Sequence, residues 1–257
     1  MSLRTVSATR YVTPLREGGS MPAVIEADDD GMYVLKFRGA GQGAKALVAE
    51  LVAGEIARVL ELPVPEIVLV ELDTDLARTE PDSEIQHLIR ASDGLNLALD
   101  YLPGSVNFDP VAERPSSELA SRIVWFDAYV SNVDRTPRNT NLLMWHRRLH
   151  LIDHGAALYF HHGWNGESDN AASPFKMIKD HVLLPWADAL EAADAFLSAR
   201  LGRDVLQGIV AQVPDSWLLG PDAFADPPTQ RAAYVDYLVQ RLEQRQAFLQ
   251  EAIHARR

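Results

Sequence analysis

The chain has 257 residues, 47% of them hydrophobic and 23% charged, which is enough to bury one large core or two lobes sharing a cleft. Its formal charge of -12, from 36 acidic against 24 basic side chains, excludes broad binding along a phosphate backbone, so no nucleic-acid partner is expected. Zero cysteines exclude disulfides, thiolate metal sites and thiol nucleophiles. No apolar run approaches the ~18 residues a membrane span needs, and Met1 to Ser7 has no signal-like apolar core, so cytoplasmic residence is the expectation.

Tyr11 to Leu15, Ala23 to Glu26 and Tyr33 to Phe37 are short β-prone runs separated by turn signals. Asp28 to Gly31 reads as a hairpin turn in which Gly supplies the positive φ. Gly39, Gly41 and Gly43 then break the sheet before Ala44 to Glu61, a segment of helix-forming Ala, Leu and Glu ended by Leu62-Pro-Val-Pro65. Ile67 to Leu72 is an aliphatic run of strand length, and Glu84 to Arg90 and Leu95 to Tyr101 are read as further strands. Together they predict a small antiparallel sheet carrying one helix. A change of composition after Leu102 divides the chain into residues 1–102 and 103–257.

In the second part, Leu119, Ile123, Phe126 and Val130 have helical spacing within Glu118 to Ser131. Leu142 to Trp145 and Leu149 to Ile152 suit a hairpin, and His161 to Ser173 reads as an exposed, substrate-facing or activation-like loop. Ala187 to Leu201, Asp204 to Gln212 and the long, charged Thr229 to Ala255 are predicted helices, and Trp125, Trp186 and Trp217 are assigned to the core. The chain is thus expected to be α+β, with a largely helical second half.

The chemistry-bearing residues lie in two runs, Asn132-Val-Asp134-Arg-Thr-Pro-Arg-Asn139 and Leu151-Ile-Asp153-His-Gly155. An Asp followed five residues later by Asn, and then by a second Asp closing an apolar strand, is the spacing with which protein-kinase-like folds hold Mg-ATP. On this reading Asp134 orients an acceptor hydroxyl and takes its proton. Asn139 and Asp153 supply oxygen ligands for Mg²⁺, a hard cation. Upstream, strand alternation sends Lys36 to the side opposite Leu35 and Phe37, where it is either a solvated edge lysine or, in a kinase-like lobe, the residue that reaches the α- and β-phosphates. Gly18-Gly19-Ser20 sits between the first two strands as a nucleotide-covering turn. Periodicity leaves Glu50, Glu55 and Glu61 competing as the partner of Lys36.

The two runs resemble the catalytic and metal-binding segments of HipA-like kinases and, more distantly, of phosphatidylinositol 3- and 4-kinases. The resemblance covers about Val34 to Leu158 and implies a kinase-like fold of two lobes, with ATP and Mg²⁺ bound between them. It selects Glu50, in Lys45-Ala-Leu-Val-Ala-Glu50, as the ion-pairing acid, and implies a protein serine or threonine as acceptor. A sugar, antibiotic or lipid headgroup is the alternative acceptor, and a nucleotide-binding regulatory module the alternative role. Residues Glu84 to Tyr101 would hold adenine. Two positions depart from the pattern. Asn132 stands where conventional protein kinases have His, and Thr136 where many HipA-like kinases have one; Arg135 or Arg138 is placed to replace that contact with phosphate. Asp127 reads as a local cap or pairing residue, and His154 as packing where other kinases carry Phe.

Other chemistries lack their signatures. The histidines at 146, 150, 154, 161 and 162 contain no His-Glu-x-x-His, and neither Gly-x-Ser-x-Gly nor a Walker A ending occurs.

Overall fold

A computed structural model describes residues 3–15, 21–41, 43–78, 80–164, 169–218 and 224–257. Within them the chain forms β1 (Thr5–Pro14), β2 (Ala23–Ala27), β3 (Met32–Lys36), α1 (Ala44–Val59), β4 (Ile67–Leu72), α2 (Ser83–Ala91) and β5 (Gly94–Asp100). There follow β6 (Val106–Asn107), α3 (Ser117–Val130), β7 (Leu142–Trp145), β8 (Arg148–Leu151), α4 (Leu190–Ser198), α5 (Arg203–Val210), α6 (Asp215–Leu218), α7 (Pro227–Glu243) and α8 (Gln246–Arg256).

The expected antiparallel sheet is instead a closed barrel in the order β1-β2-β3-β5-β4. Register shifts at Ala8/Arg10 and Tyr11/Thr13 break the regular pairing of β1 with β2, and its first residues pair in parallel with β4, Val6 against Val70. Closure leaves this sheet without an open edge. Alternation fills the barrel with Val6, Ile25, Leu35, Val68, Val70 and Ala98, while Ile67, Leu69, Leu97 and Leu99 point outward. That outer face receives α1, which is buried from Leu47 to Ala57 and also packs on α5 and α6. The predicted helix of the first half therefore belongs to the helical core. A Cβ on Gly54 would lie 2.3 Å from Ile67 Cδ1, so this glycine lets α1 come down onto β4.

Glu84 to Arg90 is not a strand. It lies in α2, whose first turn is capped by Asp82 through the N–H of Glu84, and whose Ile85, Leu88 and Ile89 pack on the barrel core. Among the described residues, the first hundred thus carry two α-helices rather than one. In the Asp28 to Gly31 turn the positive φ belongs to Asp30. Gly31 is needed for room, since a Cβ there would sit 2.7 Å from the Tyr33 ring.

In the second half a small sheet, β6-β7-β8, packs with a helical core built around α3. Trp125 and Trp217 are buried in that core, and Trp186 is half-buried against it. The long predicted final helix breaks at Gln244 and Arg245 into α7 and α8. The break lets α8 fold back on α3, with Phe248 edge-on to Trp125 at 5.6 Å. Of the stretch from His161 to Ser173, residues 165–168 lie outside the described residues, and the described part is not exposed throughout. His161 is buried with Nδ1 3.0 Å from the Tyr234 hydroxyl, and Arg241 donates to the carbonyls of Ala171 and Ser173. No helix among the described residues is long and apolar enough to cross a membrane.

Candidate active site

Lys36 ends β3 on the outer wall of the barrel, because Tyr33 and Leu35 on either side of the alternation point inward. Its Nζ lies 3.0 Å from Glu50 Oε2 on α1 and 2.5 Å from Asp153 Oδ1, just beyond β8. The competing acids are engaged elsewhere: Glu55 with Arg58, and Glu61 4.0 Å from Arg200. Burial works to strip Lys36 of its proton, but the two carboxylates outweigh it and hold the ammonium well above its usual range. Burial likewise pushes Glu50 up, and the Lys36 cation and His154 outweigh it, leaving the carboxyl well below the usual carboxylate range. Both therefore carry charge at neutral pH. The Glu50 side chain is 1% exposed and that of Asp153 41%, so one carboxylate is an internal anchor and the other reaches solvent.

His154 packs edge-on against Phe126 of α3, as expected of a filler, with ring centroids 5.7 Å apart. It also does more than fill space, since its Nδ1 is 3.4 Å from the second oxygen of Glu50. Asp153 itself takes φ 54, a left-handed turn that throws its side chain and that of His154 in different directions.

The second half of the site starts where α3 ends in the left-handed Ser131. Asp127, one turn earlier, is fully buried and accepts hydrogen bonds from Asn132 Nδ2 at 2.9 Å, Arg135 Nε at 2.6 Å and His181 Nε2 at 2.9 Å. The Leu183 N–H donates to His181 Nδ1, so the proton of that neutral ring sits on Nε2 and faces Asp127. Burial pushes Asp127 up, but the Arg135 guanidinium and His181 together hold its carboxyl well below the usual range. Arg135 also donates to the carbonyls of Asn141 and Ile152, tying the loop to the strand end that carries Asp153. Asp127 is therefore no local cap, and Arg135, 1% exposed, is not placed to touch phosphate. Arg138 is exposed. The sequence did carry a signal for this network: a carboxylate inside the apolar run Trp125-Phe126-Asp127-Ala128-Tyr129 must be paired.

Asp134 is half-buried, and its Oδ2 accepts from Asn139 Nδ2 at 2.8 Å and Asn141 Nδ2 at 3.3 Å. Asn139 thereby uses its amide nitrogen on Asp134 and keeps its carbonyl oxygen for another partner. Thr136 closes the loop, donating its N–H to the Asn139 carbonyl and accepting the Asn139 N–H on its hydroxyl. The loop runs through Asn141, and β7 begins at Leu142 as the sequence suggested. The structure thus brings Lys36, Glu50 and Asp153 into one cluster and Asp134 and Asn139 into another, joined through Arg135. Gly18, Gly19 and Ser20 lie outside the described residues.

A model of the HipA-like kinase family matches residues 9–251. No curated protein matches the sequence. Among solved structures, the chain is similar to the Helicobacter pylori proinflammatory kinase CtkA, with TM-score 0.55 and 12% identity over 97% of this chain and 99% of that one. Two structures of the Golgi casein kinase, one with Mn/ADP bound, match with TM-scores of 0.46 and 0.45 and 11% identity, covering 95% and 96% of this chain and 74% of each of theirs. The family match spans the barrel, the Lys36 cluster and the Asp134 loop alike, and the chain belongs to the HipA-like kinases, which are phosphotransferases.

Proposed function

We propose that the protein is a Mg-ATP-dependent kinase of the cytoplasm that transfers the γ-phosphate to a protein serine or threonine. Residues 1–102 serve as the nucleotide-binding lobe and 103–257 as the catalytic lobe. The observation that carries this reading is the buried Lys36 held between Glu50 and the half-open Asp153. A lysine fixed in this way presents a point charge where α- and β-phosphates need one, without having to be ordered at the moment of binding.

The donor set fits the metal. The Asp153 carboxylate and the Asn139 carbonyl are hard oxygens suited to Mg²⁺, and neither is enclosed in the core. When bound, the ion would neutralise charge on the phosphates. Asp134, aligned by Asn139 and Asn141, accepts the proton of the acceptor hydroxyl as its oxygen bonds to the γ-phosphorus and the bond to the β-phosphate oxygen breaks, releasing ADP. Gly18-Gly19-Ser20 would cover the phosphates.

The test is incubation of the protein with Mg²⁺ and γ-labelled ATP in a cell lysate, resolving both proteins and small molecules. Label on protein Ser or Thr is the expected result. Label confined to a sugar or lipid headgroup would move the acceptor to that class, and nucleotide binding without transfer would leave a regulatory module.

A further inference from the structure

A groove of about 390 Å³ opens beside the catalytic loop, lined by Pro137 of that loop, Lys179, Asp180, Leu184, Pro185 and, from α8, Arg256. Its floor is rigid. His181 lies there with both ring nitrogens engaged, and the N–H of Val182 donates to the Arg135 carbonyl at 3.0 Å. An occupant is therefore held in fixed register with Asp134, three residues before Pro137 in the same loop.

The charge around this groove differs from that of the chain as a whole, whose net charge is -12. Elsewhere most arginines are spent on acids, as in the pairs Arg4–Asp29, Arg10–Glu26, Arg58–Glu55 and Arg203–Asp236. Here Lys179 is exposed without an acidic partner among the described residues, and Arg256 has only Asp188, at 3.8 Å. Arg138, next to Pro137, and Lys176, in the same short turn as Lys179, are exposed in the same way. Asp180 is the acid within the lining. The aliphatic walls from Leu184 and Pro185 suit the backbone of an extended chain, while the exposed cations Lys179 and Arg256 in the lining suit side-chain carboxylates.

We infer that this groove is the acceptor-docking site and that it takes a polypeptide segment with Asp or Glu beside the phosphorylated hydroxyl. The inference rests on the kinase reading for the word acceptor, but the docking itself is measurable without phosphate transfer.

The experiment is fluorescence anisotropy with two labelled peptides of one sequence around a single Ser, one carrying Asp and Glu flanks and the other Asn and Gln. The wild-type protein should bind the acidic peptide at least ~10-fold more tightly than the amide peptide, and added salt should erode the difference. K179E/R256E should abolish that preference, whereas R147E/R148E, which changes net charge equally on the β7–β8 hairpin, should keep it. Equal binding of the two peptides by wild type, or a preference surviving K179E/R256E, overturns the inference. ATP turnover is measured in parallel. A preference for the acidic peptide in a protein that transfers no phosphate would sink the kinase reading and leave the groove standing.

Discussion

Asp153 and His154 are neighbours in sequence, yet their side chains grip the two ends of one ion pair: Asp153 Oδ1 is on Lys36, and His154 Nδ1 is on Glu50, the other partner of Lys36. The four residues close a ring that joins β3, α1 and the turn after β8. Lys36 is thus positioned from both sides by a single dipeptide.

The ring gives His154 a role that a plain filler would not have. His154→Phe preserves the contact with Phe126 but releases one oxygen of Glu50. It should lower kcat/KM for ATP by roughly 10-fold or more while leaving the KM of the acceptor unmoved. His154→Gln, which can still donate to Glu50, should recover most of the loss. Steady-state kinetics with each substrate varied in turn decide it, and a Phe variant as active as wild type would reduce His154 to packing.

Removing Lys36 should reverse the pH dependence associated with Glu50. In the native protein the Glu50 carboxyl is held below its usual range, so it contributes stability above the unfolded value of ~4.3, and that contribution is lost as pH falls through the folded value. In Lys36→Met the carboxylate stays buried without its cation, which costs about 3–5 kcal/mol at neutral pH. Burial then raises its pKa above the unfolded value, so the folded variant binds the proton first. The variant should gain stability relative to wild type as pH drops from 7 toward 5. Urea unfolding at the two pH values reads the difference, and parallel slopes would contradict it.

The site was legible where chemistry is local in sequence and much less so where it depends on enclosure. Lys36, Asp134, Asn139 and Asp153 sit at spacings set by strand alternation and one tight loop, but that spacing put Asn139 and Asp153 together as oxygen ligands, whereas the structure sets Asp153 on Lys36 and Asn139 on Asp134. Arg135 was expected to reach phosphate because, although Asp127 in its apolar run called for a partner, the enclosure that makes Arg135 that partner is completed by His181, 54 residues from Asp127. Closure of the barrel was hidden for the same reason, since the pairing of β1 with β4 joins segments separated by α1. Glu84 to Arg90 was misread on its β-prone Ile and Leu, although Asp82 ahead of it was a helix-cap signal.

The Asp127–Arg135 pair should behave as one unit. Asp127→Ala or Arg135→Ala leaves a fully buried charge alone and should each cost about 3–5 kcal/mol. Asp127→Leu combined with Arg135→Met removes both charges and should cost clearly less than the two single alanine changes together. Chemical denaturation of the four proteins measures this. Additive losses would mean that the two side chains are stabilised independently.

A second acid limb is expected from histidine rather than carboxylate. Burial pulls His161 down to about 3 and pushes His181 below its ordinary value as well. Each folded ring therefore refuses a proton that the unfolded chain accepts at ~6.5, so the stability these rings contribute is complete above that pH and is lost progressively below it. Unfolding free energy should begin to fall near pH 6.5, before the carboxylates titrate. His161→Phe should flatten this upper limb; an unchanged slope between pH 6.5 and 5 would show that His161 is not its source.

Asp134 and Asp153 should separate catalysis from nucleotide binding. Asp134 is fastened by two asparagine amides and makes no contact with Lys36, so Asp134→Ala removes the proposed proton acceptor and leaves the Lys36–Glu50–Asp153 cluster in place. It should lower the transfer rate by on the order of 10²-fold or more and keep the thermal shift produced by Mg-ATP. Asp153 lies on Lys36 and is open to solvent, so Asp153→Ala should abolish most of that Mg-dependent shift. The opposite pattern, with nucleotide binding lost in the Asp134 variant and retained in the Asp153 variant, would exchange the two roles. Turnover unchanged in the Asp134 variant would remove that residue from the chemistry, because no other carboxylate lies within the loop from Ser131 to Asn141 to take the proton.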